Sequence, residues 1–436
     1  MEKLLKMALK ESDSAEILMI ERKGNPISFY NYLSADILNR DLIELSLRII
    51  RDGKIGVSKG SFAGDRKTFV EQAVLAAKYG PKVEFDFPSE PSTGKNMTFD
   101  PELVGMKLEK VFNDGRAIYD FVKRHYAEMP LNLYMDNERK KVSLINSKGK
   151  NESYEHTRYT ICVMSMYRKS KEGINKEITQ CKYFKFPESM ILELIDEYKN
   201  SGREVKVPSK TMPVIFRTSA TWSLLYRLIE GVKGSNYAKN ITPLKEKINT
   251  QIFSDKVTVW DDPTMAAAPG SVPFDDEGVP TRKKVIVDNG VLKNFIFDLE
   301  SGAKSGLGSS GNGFKKSMWT RGIEDNPIPC FTNMIMVPGA WDLKDMIQDM
   351  GEGIIVNDVI GFHSGNMLQG AYSMNVGIGF YVKDKKIQGR AIDTMVAGNV
   401  YEDFFAIKGL GKKLEYNPQA YTPDIYFEKI SVSGTG

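Results

Sequence analysis

The stretch LIELSLRIIRDGKIGVSKG, residues 42–60, alternates apolar and polar side chains through Leu45, Leu47 and Ile49, reaches Asp52-Gly53, and resumes with Ile55 and Val57. A period of two marks a strand that is apolar on one face. Asp-Gly between two such runs predicts a tight hairpin, because a type I′ turn needs positive φ at both central positions. Working outward, strand-like runs precede the hairpin at 16–20 and 28–33. Behind it, Phe69, Ala73, Ala76 and Ala77 mark one helix face that stops at Gly80-Pro81. With an amphipathic helix at the start of the chain, this first unit reads helix, antiparallel meander, helix.

The same pattern recurs. Asp100 suits an N-cap and Pro101 the first helical position. Val104, Leu108, Val111, Gly115, Ile118 and Val122 fall at alternating steps of four and three, which predicts one long helix. Strands are expected at 131–135, 142–145, 159–167 and 178–186, and Ile191, Leu194, Ile195 and Tyr198 mark a closing helix. Asn200-Ser201-Gly202 and the prolines at 208 and 213 set the expected boundary between an N-terminal domain, 1–205, and a C-terminal domain, 210–436. The first is expected to be sandwich-like and internally duplicated, 1–95 and 100–202. In the second, Trp222, Leu225, Ile229 and Val232 mark a helix, after which strands dominate, with hairpins at Asp288-Asn289-Gly290 and at 383–386. The fold class expected is α+β with a β-rich C-terminal domain.

The 436 residues include 60 Lys+Arg and 56 Asp+Glu, a net charge of +4 that is too small for a dominant basic field, so neither nucleic acid nor a membrane surface is expected as a partner. No apolar run approaches the roughly 20 residues that span a bilayer, and the charged N-terminus lacks the pattern of a signal peptide. A cytoplasmic location is expected. Three cysteines without CxxC spacing and three scattered histidines argue against a disulfide framework, a zinc ribbon or a His-rich metal site.

Several motifs offer chemistry. Gly306, Gly308 and Gly311 satisfy GxGxxG but have no clear helix start after them, as a dinucleotide site requires. Gly361-Phe362-His363-Ser364-Gly365 places its serine off the register of a nucleophile elbow. Asp261-Asp262 and Asp275-Asp276-Glu277-Gly278 could hold a hard cation, although solvated turns are the ordinary reading. Solvated edges and turns are also the expectation for Arg282-Lys283-Lys284, Lys315-Lys316 and the basic run at 383–386. Cys162 and Cys181, on predicted strands, are expected to be buried.

The segments AAAPGSVPFDDEGVPTRKKVIVDNGVLKNFIFD (to residue 298), SSGNGFKK (309–316) and GFYVKDKKIQGRAIDTMVAGN (379–399), with KGSFAGDRKTFVEQAVLAAKY (59–79), together resemble the TldD/PmbA family. The resemblance spans essentially the whole chain. Members, once called modulators of DNA gyrase, look as a family like cytoplasmic peptidases, arranged as a heterodimer of a catalytic TldD subunit and a PmbA subunit, also called TldE. TldD-type chains carry HExxxH on a helix. Here the corresponding helix holds Tyr226, Arg227 and Glu230 or Gly231 at the places of His, Glu and His, and no histidine is followed by glutamate.

The resemblance therefore implies a PmbA/TldE-like chain with no catalytic residue and no metal of its own. Zinc is expected in a TldD-like, HExxxH-bearing partner, with a homodimer as the other assembly. It also implies an extended peptide substrate, for which Asp275, Asp276, Gly278, Gly311, Asn312 and Gly313 are the candidate contacts. Two other classes stand beside it: a stand-alone hydrolase using a cation held near Asp275, and a non-enzymatic interaction protein.

Overall fold

The computed structural model describes residues 1–436 except 32–33, 62–64, 93, 95–97, 168–172, 316–321, 324–325 and 418–419. The end of the strand expected at 28–33, residues 62–64 of the quoted motif and Lys316 lie outside the described residues.

The first half contains α1 (Glu2–Ala8), β1 (Ser14–Gly24), β2 (Ile27–Tyr30), β3 (Ser34–Ile37), β4 (Arg40–Arg51), β5 (Lys54–Ser61) and α2 (Arg66–Tyr79). It continues with α3 (Pro101–Val104), α4 (Leu108–His125), β6 (Asn132–Asn146), β7 (Asn151–Met166), β8 (Gly173–Gln180) and α5 (Glu188–Asn200). Its eight strands form one antiparallel sheet centred on β6, which pairs with β7 along one edge and with β1 and β2 along the other. The hairpin read at Asp52-Gly53 joins β4 to β5, with φ of 52° and 69° at its two central residues.

Two expectations change. The runs 131–135 and 142–145 are a single strand, β6, whose middle is polar on both faces and so carried no periodic signal. The long helix at 100–122 is interrupted at Gly105, which caps α3, leaving Val104 and Leu108 exposed and the core face of α4 to Val111, Ile118, Phe121 and Val122.

The layering is one sheet under helices, not two stacked sheets. Leu4 and Ala8 of α1 and Val70, Ala73 and Ala77 of α2 pack on Ile17, Leu45, Leu47 and Ile49. α4 and α5 pack on Leu133, Met135, Ile161 and Val163 of the same face. The opposite face turns toward the second half of the chain, where Leu18, Ile20, Val142, Leu144 and Tyr154 pack with Phe274 and Ile323.

In the second half, one sheet uses β9 (Glu204–Lys206), β10 (Lys210–Phe216), β17 (Gly353–Ile360), β18 (Ala371–Lys383), β19 (Lys386–Ile392), β20 (Met395–Asn399), β21 (Ile407–Leu410) and β24 (Ile425–Ser433). Pairings run β17, β10, β24, β20, β18 and return to β17, so these five strands close into a ring with no free edge between them. A six-stranded sheet uses β11 (Val259–Asp261), β12 (Lys284–Asp288), β13 (Val291–Leu292), β16 (Met334–Met336), β22 (Glu415–Asn417) and β23 (Ala420–Thr422). β14 (Gly313–Phe314) and β15 (Ile328–Pro329) pair separately.

The helix α6 (Thr218–Gly231) is apolar nearly all round, and Ala220, Leu224, Leu225, Leu228 and Ile229 are buried in the core that both larger sheets share. Such a helix belongs at the centre of a domain, not on its surface. Its N-terminus is fixed by Asp424, whose Oδ1 accepts from the Thr218 N–H at 2.8 Å and from Arg217 Nε at 3.0 Å. Mixed helix and strand in both halves give the α+β class expected from the sequence.

Candidate functional site

A cleft of about 590 Å³ separates the exposed face of the N-terminal sheet from the second half of the chain. Successive same-face residues of β6, Tyr134, Asp136, Glu138 and Lys140, form its floor with Arg158 and Thr160 of β7 and Glu177 and Thr179 of β8. Trp222, Phe314, Lys315, Phe362 and Tyr416 line it from the second half. A second depression of about 870 Å³ lies between α1, α2 and the β4–β5 turn, remote from the contact of the two halves. We therefore take the cleft as the site.

The floor is charged but balanced. Arg40 Nη1 lies 3.0 Å from Asp136 and 2.8 Å from Glu138, and Arg158 Nη2 lies 3.6 and 3.4 Å from the same two carboxylates. Burial raises the proton affinity of the Glu138 carboxyl, but the arginines outweigh it and hold the group below its ordinary range.

His156 lines the same floor, across from Lys140, with Nε2 3.5 Å from Cys181 Sγ. Burial first, then Lys140 and Arg158, lowers its pKa from 6.5 to about 3, so the ring is a neutral core group. A depressed histidine stabilises the fold above pH 6.5 and loses that contribution as pH falls toward 3. Relative to His156→Gln, the wild-type chain should lose stability with a slope approaching about 1.4 kcal/mol per pH unit in that window. Urea unfolding of both proteins at several pH values checks this, and parallel pH profiles would refute it. Burial pushes the Cys162 and Cys181 thiols up to about 12, as suits inert core cysteines.

The acidic turn is not solvated. Asp275, Asp276 and Glu277 are 1%, 7% and 2% exposed, and Glu277 ties the two halves together through Arg48. Asp275 accepts from the backbone N–H groups of Glu277, Val279 and Gly313 at 3.0, 2.9 and 2.8 Å, so its oxygens are already engaged. Asp276 accepts from the Lys315 N–H at 2.8 Å.

Glu277 reaches across to the N-terminal sheet, where Arg48 Nη1 donates to it at 2.7 Å, while its other oxygen takes the Leu299 N–H at 2.7 Å. Arg48 also donates to Glu16 at 2.7 and 3.0 Å. Burial pushes the Glu16 carboxyl up to about 7 against the pull of Arg48, and burial likewise lowers the Lys315 ammonium, whose Nζ donates to Ser46 Oγ at 2.9 Å.

Among the six candidate peptide contacts, Asp276 alone lines the cleft. Asp275 and Gly278 support the turn behind it. Gly311, Asn312 and Gly313 are also supporting groups, with the Asn312 amide donating to Asp261 and to the Cys330 carbonyl at 2.7 and 2.8 Å. Glycine is required at 313 because a Cβ there would overlap the Glu277 carboxylate. The GxGxxG run ends a helix instead of starting one, since Gly306, at φ 70°, caps Leu299–Ser305. Lys315, read as solvated, is 2% exposed, and Lys284 is held at 3.5 Å from Asp261.

On α6, Tyr226 packs on Trp222 and Phe362 at centroid distances of 5.5 Å each. Arg227 is fully buried, and its guanidinium donates to the carbonyls of Ser223, Ser364 and Ala371 at 2.7, 2.8 and 3.3 Å. No carboxylate among the described residues pairs with it, and burial pulls it down to about 10. Glu230 is taken by Lys233 Nζ at 2.6 Å. Gly231 faces the Tyr401 hydroxyl and Leu244, whose Cδ1 would lie 2.8 Å from an added Cβ.

A zinc peptidase site needs imidazole, thiolate or carboxylate donors. Tyr226 offers a phenol that burial keeps protonated, Arg227 a cation and Gly231 no side chain, the Glu230 carboxylate is held by Lys233, and among the described residues no cluster of three or more His, Cys, Asp or Glu could hold a metal. The residues of α6 do not fit zinc.

Sequence reasoning missed Arg48, Glu16, Trp222, Phe362 and the floor carboxylates. For the last, a signal existed only where the strand begins, since residues 136–141 are polar on both faces. Polar residues at 134, 136, 138 and 140 alternate with Leu133 and Met135, which marks a strand whose second face is polar.

Two sheet-based halves closing on an aromatic and charged cleft define the class of molecule. Residues 209–434 match the PmbA/TldA metallopeptidase C-terminal domain, just over half of the chain, and the chain belongs to this PmbA/TldD family of metalloprotease-related proteins. It is 27% identical to an uncharacterised protein of Methanocaldococcus jannaschii over 412 residues, 93% of each chain. It is 23% identical to an Archaeoglobus fulgidus protein named Metalloprotease, covering 85% of each. The fold is shared with TldE from Thermococcus kodakarensis, at a TM-score of 0.88, 22% identity and 99% coverage of both chains.

Proposed function

We propose that this chain is the non-catalytic, PmbA/TldE-like subunit of a TldD/TldE-type metallopeptidase that processes unfolded or short peptides in the cytoplasm. Its partner is a TldD-like homologue whose HExxxH helix holds the zinc, and this subunit contributes a shaped cleft and supports the partner. The observation that carries the reading is the state of α6, where Arg227 and Gly231 stand at the expected places of the glutamate and the second histidine and are committed to backbone carbonyls and to close packing. The engaged oxygens of Asp275 weigh against a stand-alone hydrolase built on that turn.

Affinity capture of the tagged chain from its native cytoplasm should recover an HExxxH-bearing homologue at equal stoichiometry. The purified chain alone should hold substoichiometric zinc and leave peptides uncleaved. Chelator-sensitive cleavage by the chain alone, or a clean homodimer with no homologue, would overturn the assignment.

A further inference from the structure

We infer that Trp222 and Phe362 form a subsite in the cleft for an apolar, preferentially aromatic, side chain of an extended peptide, with the Trp222 indole N–H donating to a carbonyl of that peptide. The class of occupant rests on the peptide-processing reading above; the subsite rests on the following geometry. Trp222, Tyr226 and Phe362 stand with ring centroids 5.3 to 5.5 Å apart, a mutual packing of three rings of which Trp222 and Phe362 border the cleft. Aromatic pairs at this spacing present ring faces and edges that a further ring can extend.

The second observation is an unsatisfied donor. Trp222 is 8% exposed, and its Nε1 has no acceptor among the described residues, although a buried indole N–H normally finds one. On the floor, Arg158 Nε also lacks an acceptor, because the Asp136 and Glu138 carboxylates are approached through the other end of its guanidinium. Trp222 and Arg158, which border the cleft from the two halves, thus each keep a buried donor without an acceptor, beside an apolar wall. An occupant that supplies carbonyl oxygens along its length and an apolar side chain at one point matches both features, and a peptide backbone does so without adding net charge to a balanced floor.

The wall is preorganised. Phe362 lies on the loop 361–370, whose Gly361, Gly365 and Gly370 have φ of 79°, 95° and 82°. Arg227 ties this loop to α6 through the carbonyl of Ser364, and ties the start of β18 through that of Ala371. It is a positioning residue for Phe362, and fixing the ring before binding reduces the ordering cost at the subsite.

The test uses the full chain, with chelator present and no partner added. Anisotropy is measured with fluorescein-labelled Ala-Ala-Phe-Ala-Ala, its central Asp analogue and the all-Ala peptide. The Phe peptide should bind about tenfold more tightly than the Asp peptide, the scale expected for one apolar side chain entering a fitted pocket. Phe362→Ala, a change on a partly exposed loop, should reduce that preference to about twofold or less. Trp222→Phe should keep the preference and weaken all three peptides by about fivefold, the value of one lost hydrogen bond.

As a check that needs no folded variant, unlabelled Phe peptide should alter the indole emission of the wild-type chain. Equal affinity for the three peptides, or a preference that survives Phe362→Ala, would overturn the subsite. If that occurs while the homologue still co-purifies, the subsite falls and the subunit assignment stands; cleavage by the chain alone would remove the assignment without touching the subsite.

Discussion

Arg227→Glu is expected to destabilise the second half of the chain severely instead of supplying a general base. The guanidinium is fully buried and satisfies three carbonyls. A carboxylate in its place would face those same oxygens with nothing to donate and no counter-ion, and burying an unpaired charge among unsatisfied acceptors costs about 4 kcal/mol or more. Arg227→Met removes the charge but still orphans the carbonyls, so it should cost less, about 2–3 kcal/mol.

Adding Tyr226→His and Gly231→His to Arg227→Glu, which rebuilds HExxxH on paper, should worsen the fold further. A side chain at 231 must displace Leu244 and the Tyr401 hydroxyl. Urea unfolding and zinc analysis of the triple variant decide the matter: a wild-type midpoint with one bound zinc would show that α6 can accept the motif after all.

The second large effect is expected at Arg48. Its guanidinium lies between Glu16 and Glu277, all three nearly devoid of exposure, and its loss would leave two buried carboxylates facing each other. Removing one partner of a buried ion pair costs roughly 3–5 kcal/mol, and Arg48→Met should fall in that range at pH 8. The loss should shrink in acid. Glu16 already binds its proton more tightly folded than unfolded, at about 7 against 4.5, so its contribution is full below pH 4.5 and is lost as pH rises through 7. Without Arg48 the shift grows in the same direction. Arg48→Met should therefore approach wild-type stability near pH 5 and fall away by pH 8, which chemical denaturation at the two pH values measures. A deficit independent of pH would mean that lost packing against Phe87, 5.3 Å from the guanidinium, and not the carboxylates, sets the cost.

What the sequence could and could not convey follows from the range over which the interactions act. The turn at Asp52-Gly53 and the one at 383–386 are specified by two residues each, and both are found with positive φ. Cys162, on β7, and Cys181, just past the end of β8 instead of on the strand expected at 178–186, are both buried as expected. Gly105 broke the expected long helix because a period of apolar residues says nothing about the backbone between them. The acidic turn was illegible for another reason: charged residues at a Gly-ended turn are ordinarily wet, and the groups that satisfy the buried Glu277, the Leu299 N–H and Arg48, are distant in sequence. Nor does periodicity tell that Trp222 meets Phe362, since that contact depends on how a loop is held by an arginine.

The junction between Arg48 and Glu277 has a consequence for how the chain is made. The two residues are 229 positions apart. At synthesis rates of roughly 5–20 residues per second, the interval between them is on the order of tens of seconds. From the synthesis of β6 until Phe274 follows, Leu18, Ile20, Val142 and Leu144 have no Phe274 to cover them. A fragment ending near residue 205 would lack that cover permanently.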